Sequence, residues 1–302
     1  MRFRKLGRVF VPDGTDPLAV AYAILPTPMV LDDVVRVFYA STDSNIVGRV
    51  FWVDLDAGDL TRVVGRSDRP VLDSGSEGAF DQYGVNPISV VRDGPDLRLY
   101  YAGYQRPGGD VPYTLFAGLA VSGNDGLRFD RASVNPVLPP TPKERFIRTA
   151  PNVQKDFDRW RVWYVGGSDW TTYGGKRLPI YGLRYSESGD GIAWSDPALL
   201  LDPDRSRDQI GFGRPWVLKE NGAYRMFLSV RTVHGYSISH ARSNDGLVWH
   251  DWHHNIIPTS VDGWDRDMCC YAASVNVDGQ EFVFYNGNGY GRDGFGLAIR
   301  EA

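Results

Sequence analysis

The chain has 302 residues, and its 33 Lys+Arg against 37 Asp+Glu leave a formal charge of −4. That near balance excludes a surface built for nucleic acid or an anionic membrane, either of which needs a basic excess. Hydrophobic content of 42 % with 23 % charged residues excludes general disorder, while 13 % aromatics, 34 Gly and 19 Pro point to turn-rich β structure.

At the N-terminus, Arg2, Arg4, Lys5 and Arg8 precede no apolar stretch, so no signal peptide is expected. Nothing approaches the roughly 18 consecutive apolar residues of a membrane span. One strand-like segment then recurs along the chain, at 35–41, 97–103, 160–166, 224–230 and 281–287. Each is rich in aromatic and β-branched residues, as a strand buried on both faces requires. Its fifth residue falls at Tyr39, Tyr101, Tyr164, Leu228 and Tyr285, a period of roughly sixty residues that makes the chain a repeat protein.

Segments 122–129, 188–194 and 243–249 carry Asp125-Gly126, Asp190-Gly191 and Asp245-Gly246. Asp-Gly supplies the positive φ of a tight hairpin turn. Four units open with a short strand holding a proline, at Thr27-Pro28, Asn86-Pro87, Ala150-Pro151 and Arg214-Pro215; the fifth has Ala273-Ser274 there. Four antiparallel strands per unit predict one all-β domain over 1–302, a five-bladed β-propeller. The last unit ends after its third strand at 294–300, so residues 3–11 are expected to add the fourth and close the ring. Cys269 and Cys270, the only cysteines, read as reduced thiols of a cytoplasmic protein rather than as a zinc site.

The five units, the Ser-x-Asp-Gly turns and the prolines opening the inner strands together resemble the five-bladed propellers of carbohydrate-active enzymes. These include glycoside hydrolase family 43, the family-32 invertase and fructan group, and the mannoside phosphorylases. The segment 285–291 is similar to family-43- and family-32-like members of that superfamily. The resemblance implies a carbohydrate ligand in the funnel at one end of the central channel. It also implies catalytic carboxylates one or two residues before the inner-strand prolines. Those positions here hold Pro26-Thr27, Val85-Asn86, Thr149-Ala150 and Gly213-Arg214, none of them acidic.

Other carboxylates precede the inner strands at similar offsets: Asp81, Glu144, Asp208 and Asp267. Asp81, Asp208 and Asp267 are the expected source of an acid/base or nucleophile/acid pair, whose separation would set retention or inversion. The loops after the second strands offer Trp170, Tyr173 and Tyr290 as stacking faces for sugar, with His234, Asn286 and Asn288 as hydroxyl partners. Arg148, Arg214 and Arg231 lie near the same mouth. Each guanidinium either pairs with those carboxylates or binds an anionic group of the substrate. No cofactor or resident metal is expected, though a carboxylate-rich channel could hold a structural Ca²⁺. The expected activity is cleavage or transfer of a glycosidic bond, on an acidic or phosphorylated sugar. A binding propeller without turnover and an enzyme acting on a small or nucleotide-linked sugar are the alternatives.

Overall fold

The fold is described by a computed structural model covering residues 1–301. After β1 (Phe3–Phe10), the strands pair in antiparallel groups of four. The first is β2 (Ala21–Leu31), β3 (Val34–Thr42), β4 (Gly48–Asp56) and β5 (Asp59–Arg66). The second is β6 (Val85–Asp93), β7 (Asp96–Gln105), β8 (Thr114–Ser122) and the two-residue β9 (Asp130–Arg131). The third is β10 (Ile147–Asp156), β11 (Arg159–Tyr173), β12 (Lys176–Ser188) and β13 (Ala198–Leu201), and the fourth is β14 (Gln209–Glu220), β15 (Ala223–Thr232), β16 (Gly235–Ser243) and β17 (His250–His253). The last strands, β18 (Cys270–Val277), β19 (Gln280–Asn286) and β20 (Phe295–Arg300), are joined by β1, which pairs with β20. The leading strands lie side by side, β2 against β6, β6 against β10, β10 against β14 and β14 against β18, and β18 also touches β2.

The recurring segments of the sequence are the second strands β3, β7, β11, β15 and β19. Phe38, Tyr101, Trp163, Phe227 and Phe284 are fully buried there, and each such side chain contributes about 1.5–3 kcal/mol by leaving water. The Asp-Gly turns fasten one group to the one before it. Trp163 Nε1 donates to the Gly246 carbonyl at 2.7 Å, Tyr100 Oη to that of Gly191 at 3.0 Å, and Arg36 Nη1 to that of Asp125 at 2.8 Å. The turn is held from within by its own serine: Ser122, Ser188 and Ser243 accept from the Gly126, Gly191 and Gly246 amides. The Ser-x-Asp-Gly pattern is therefore both a local turn and an inter-group clasp.

Candidate functional site

The leading strands carry bulges where they approach one another. In β2, β10, β14 and β18 one extra residue sits opposite the second strand, at Leu25-Pro26, Ala150-Pro151, Arg214-Pro215 and Tyr271-Ala272. The first residue of each pair is left-handed, with φ of 57°, 54°, 40° and 59°. Such backbone costs about 1–3 kcal/mol per non-glycine residue and clusters at functional sites, and a bulge re-aims the side chain it carries. Leu25, Ala150, Arg214 and Tyr271 all line one cavity of about 390 Å³, together with Ile88 from the bulge of β6. Two expected register positions move. The equivalent of Ala150-Pro151 is Leu25-Pro26, not Thr27-Pro28, and in the last group it is Tyr271-Ala272, not Ala273-Ser274. No acid occupies either position.

Six tyrosines form much of the cavity wall: Tyr104, Tyr113, Tyr181, Tyr236, Tyr271 and Tyr290. Among the described residues no aspartate or glutamate lines it, whereas Arg214 and Arg231 both do. Arg214 is only 1 % exposed. Its guanidinium crosses to three other leading strands, donating to Thr27 Oγ1 at 2.8 Å and to the Tyr271 and Ile88 carbonyls at 3.1 and 3.4 Å. Its Nε has no partner, nor does the buried Oγ1 of Thr149 in the same wall. Burial without a neighbouring carboxylate pushes Arg214 down to about 9 from its ordinary 12.5, so it stays charged at neutral pH. Arg231 donates through Nη1 to Tyr181 Oη at 3.0 Å and lies over the rings of Tyr181 and Tyr236, whose hydroxyls are 2.6 Å apart. Burial drives Tyr236 and Tyr271 well above the usual phenol range, so both present neutral hydroxyls. The chamber is thus a phenol-lined cup holding two cations that have only neutral partners. It is suited to receiving an anion.

The four carboxylates expected at the mouth lie elsewhere. Asp81 is buried, accepting from Tyr101 Oη at 3.0 Å and pairing with Arg131 at 2.8 Å. Glu144 is fully buried between Arg148 and Arg184, at 2.8 and 2.7 Å, with Tyr164 Oη at 3.1 Å. The third carboxylate of this kind is Asp265, held by Lys5 at 2.6 Å and by Tyr285 Oη at 3.0 Å. All three stand twenty residues before the tyrosine of a second strand, and each tyrosine is followed two residues later by glycine. A Cβ at Gly103, Gly166 or Gly287 would lie 2.6, 2.3 or 2.9 Å from an atom of that acidic side chain. The pattern is a structural carboxylate–tyrosine–cation unit. Asp208 is exposed and closes a 3₁₀ turn, and Asp267 is exposed and paired with Arg266. The expected acid/base set therefore shares no common site.

Of the expected binding residues, Arg148 serves Glu144 and is absent from the cavity wall. Asn286 is fully committed: its Oδ1 accepts from the bulge amide of Leu25 at 2.8 Å, and its Nδ2 donates to the Ala23 and Gly294 carbonyls. Asn288 bridges the Asp267 amide and the Gly263 carbonyl. Trp170 packs edge-on to Tyr113 and beside Phe146 and so buttresses the wall rather than facing the chamber. His234 lies in a separate outer hollow with Tyr173. Of the wall tyrosines, Tyr290 is one of those expected to stack on sugar; the other five were not anticipated, although Tyr181 and Tyr236 stand at matching places near the start of third strands. Among the described residues, no group of three or more His, Cys, Asp or Glu is placed to hold a metal ion.

Comparison with known proteins adds the fold and the family. No protein-family model matches the chain. Solved structures similar to it include a glycosyl hydrolase from Bacteroides ovatus (13 % identity, covering 99 % of this chain and 93 % of that one, TM-score 0.72) and a thermostable family-43 glycoside hydrolase (19 %, 94 % and 91 %, 0.65). A third comes from the GH130 family of mannoside phosphorylases (12 %, 99 % and 93 %, 0.72). At such identities the likeness shows the fold alone, and it is the propeller fold of glycoside hydrolases and phosphorylases. Two curated relatives are each 34 % identical over 306 residues, with complete coverage of both chains: the uncharacterized proteins Rv1502 and MT1551, from two strains of Mycobacterium tuberculosis. With its all-β propeller fold and full-length match, the chain belongs to the family of uncharacterized protein Rv1502 of Mycobacterium tuberculosis.

Proposed function

We propose that the chain is a single five-bladed β-propeller, closed by β1, whose central funnel binds an anionic carbohydrate through Arg214 and Arg231. The five four-stranded groups, the β1–β20 pairing and the side-by-side leading strands support the architecture. The observation that carries the function is the charge of the cavity wall: two arginines whose hydrogen-bond partners are all neutral, and no carboxylate among the described residues. A buried cation without a counterion is costly, and an anion in the chamber offsets that cost. The tyrosine rings supply flat apolar faces for sugar C–H surfaces, and their hydroxyls supply donors and acceptors. Hydrolysis by a carboxylate pair loses its support, because Asp81 and Glu144 are locked in ion pairs and Asp208 and Asp267 lie outside the wall.

Calorimetric titration with glucuronic acid, glucose 1-phosphate and glucose tests this. The two acids are expected to bind and glucose is not. Loss of one charge-assisted hydrogen bond, about 1.5–3 kcal/mol, makes Arg231→Leu roughly ten- to a hundredfold weaker. Equal binding of glucose and the acids, or acid binding that survives Arg214→Met/Arg231→Leu, overturns the proposal.

A further inference from the structure

The hairpin β11–β12 is longer than its counterparts. Beyond a register break between Gly166 and Asp169, five further residue pairs continue, from Asp169–Ile180 to Tyr173–Lys176. The projecting arm is tied on one side by Arg177 Nη1, which donates to the Asp110 carbonyl at 2.7 Å. On the other side its tip meets the β15–β16 turn, where Tyr173 stands edge-on to His234 with ring centroids 5.3 Å apart. Between tip and turn lies a second hollow of about 350 Å³, whose wall includes Tyr173, Lys176, Arg231, His234 and Tyr290. No acid lines this hollow either, among the described residues.

Two residues belong to both chambers. Arg231 donates to Tyr181 on the inner side, yet it also lines the outer hollow. Tyr290 packs edge-on to Tyr236 and nearly parallel to Tyr271, while its other side faces the outer hollow. It is held there by three successive left-handed residues, Gly289, Tyr290 and Gly291, with φ of 61°, 63° and 100°. Strained backbone of this kind clusters at ligand clamps and active sites, and here it presents one ring to both chambers.

We propose that the outer hollow is a second carbohydrate subsite, so that the ligand is an acidic oligosaccharide of at least two units. One ring lies in the inner chamber and the next lies between Tyr173 and Tyr290, with their junction at Arg231. This rests on the anionic-carbohydrate reading of the inner chamber. Each hollow alone is near the small end of the range for ligand sites, roughly 300–1,000 Å³, and the pair together falls well within it. Lys176 and His234 give the outer unit a cation and a hydrogen-bonding ring, in a protein whose net charge is negative.

Calorimetry with glucuronic acid and with linear oligoglucuronates of two and three units tests the subsite. The dimer is expected to bind about tenfold or more tighter than the monomer, with little further gain in the trimer. In Lys176→Ala/His234→Ala the dimer-to-monomer ratio is expected to fall close to one. Monomer binding with no gain in the dimer, or a gain that persists in the double variant, overturns the second subsite while leaving the inner one standing. Failure of every acid to bind overturns the reading of the inner chamber instead, and the second subsite with it.

Discussion

Replacing Arg214 by methionine separates a ligand-binding cation from a structural strut. The guanidinium is buried, and its depression from 12.5 to about 9, at 1.36 kcal/mol per unit, corresponds to about 5 kcal/mol spent keeping the charge in place. Against that stand its well-formed hydrogen bonds to Thr27 Oγ1 and the Tyr271 carbonyl, charge-assisted and worth about 1.5–3 kcal/mol each. Arg214→Met is therefore expected to leave the unliganded protein within roughly 2 kcal/mol of wild type, where truncating a buried side chain ordinarily costs about 2–5 kcal/mol. Denaturant unfolding monitored by tryptophan fluorescence, in buffer free of phosphate and carboxylates, reads the difference directly. Glucuronic acid at a hundredfold excess over its Kd stabilises a protein by about 2.7 kcal/mol; wild type is expected to show this gain and the variant to lose it. A variant that loses 2 kcal/mol or more without ligand would refute the reasoning. It would mean that Arg214 is there to tie β14 to β2, β6 and β18.

Three further outcomes follow from the buried networks. Lys5→Met strands the buried Asp265 and is expected to cost about 3–5 kcal/mol, seen as a lower denaturation midpoint and faster hydrogen exchange in β1 and β20; an unchanged midpoint contradicts it. Gly166→Ala forces a methyl group against Glu144 and is expected to lower the thermal midpoint well beyond the effect of a surface Gly→Ala change, because the carboxylate between Arg148 and Arg184 has nowhere to move; an equal effect contradicts it. Burial pushes Tyr100 and Tyr113 up to about 12 and Tyr39, Tyr101 and Tyr164 further still. A phenol raised in the folded state stabilises the fold fully below its unfolded value, near 10, and that contribution disappears as pH rises towards the folded values. Arg214, shifted the other way, opposes this by at most one proton. Stability is therefore expected to fall steeply above pH 10, with tyrosinate absorbance appearing together with unfolding. Titration of all sixteen tyrosines near pH 10 in a still-folded protein would contradict this.

The strand order was legible in the sequence because it rests on local chemistry. The aromatic second strands and the Asp-Gly turns each have a pattern a few residues long, and the partnership of the N-terminal segment with the last strand follows from a last unit that has only three strands of its own. The bulges did not show, since one extra residue in a strand leaves no mark on composition; Pro26 and Pro28 are equally plausible beside a left-handed residue until the pairing with β3 is known. That displacement hid Tyr271 as a wall residue and made Asp267, rather than Asp265, look equivalent to Asp81. The buried carboxylates were misread for a related reason. Acids near the start of inner strands suit a glycosidase, and only the twenty-residue spacing to Tyr-x-Gly marks them as structural. Asn286 and Asn288 resembled ligand contacts because a loop amide looks the same whether it meets a sugar or the backbone of Leu25 or Gly263. The arginines divided. Arg148 joined the ion network, whereas Arg214 and Arg231 found no acid.

A proton NMR time course of the purified protein with aryl glycosides, glucuronic acid and oligoglucuronates tests the central claim most directly. Selective line broadening of the acidic sugars, reversed by Arg214→Met, with no new anomeric signal from any compound, is the predicted result. A new anomeric signal from a neutral glycoside, lost in Asp81→Asn or Asp267→Asn variants that remain folded, would contradict it and return the chemistry to the carboxylates.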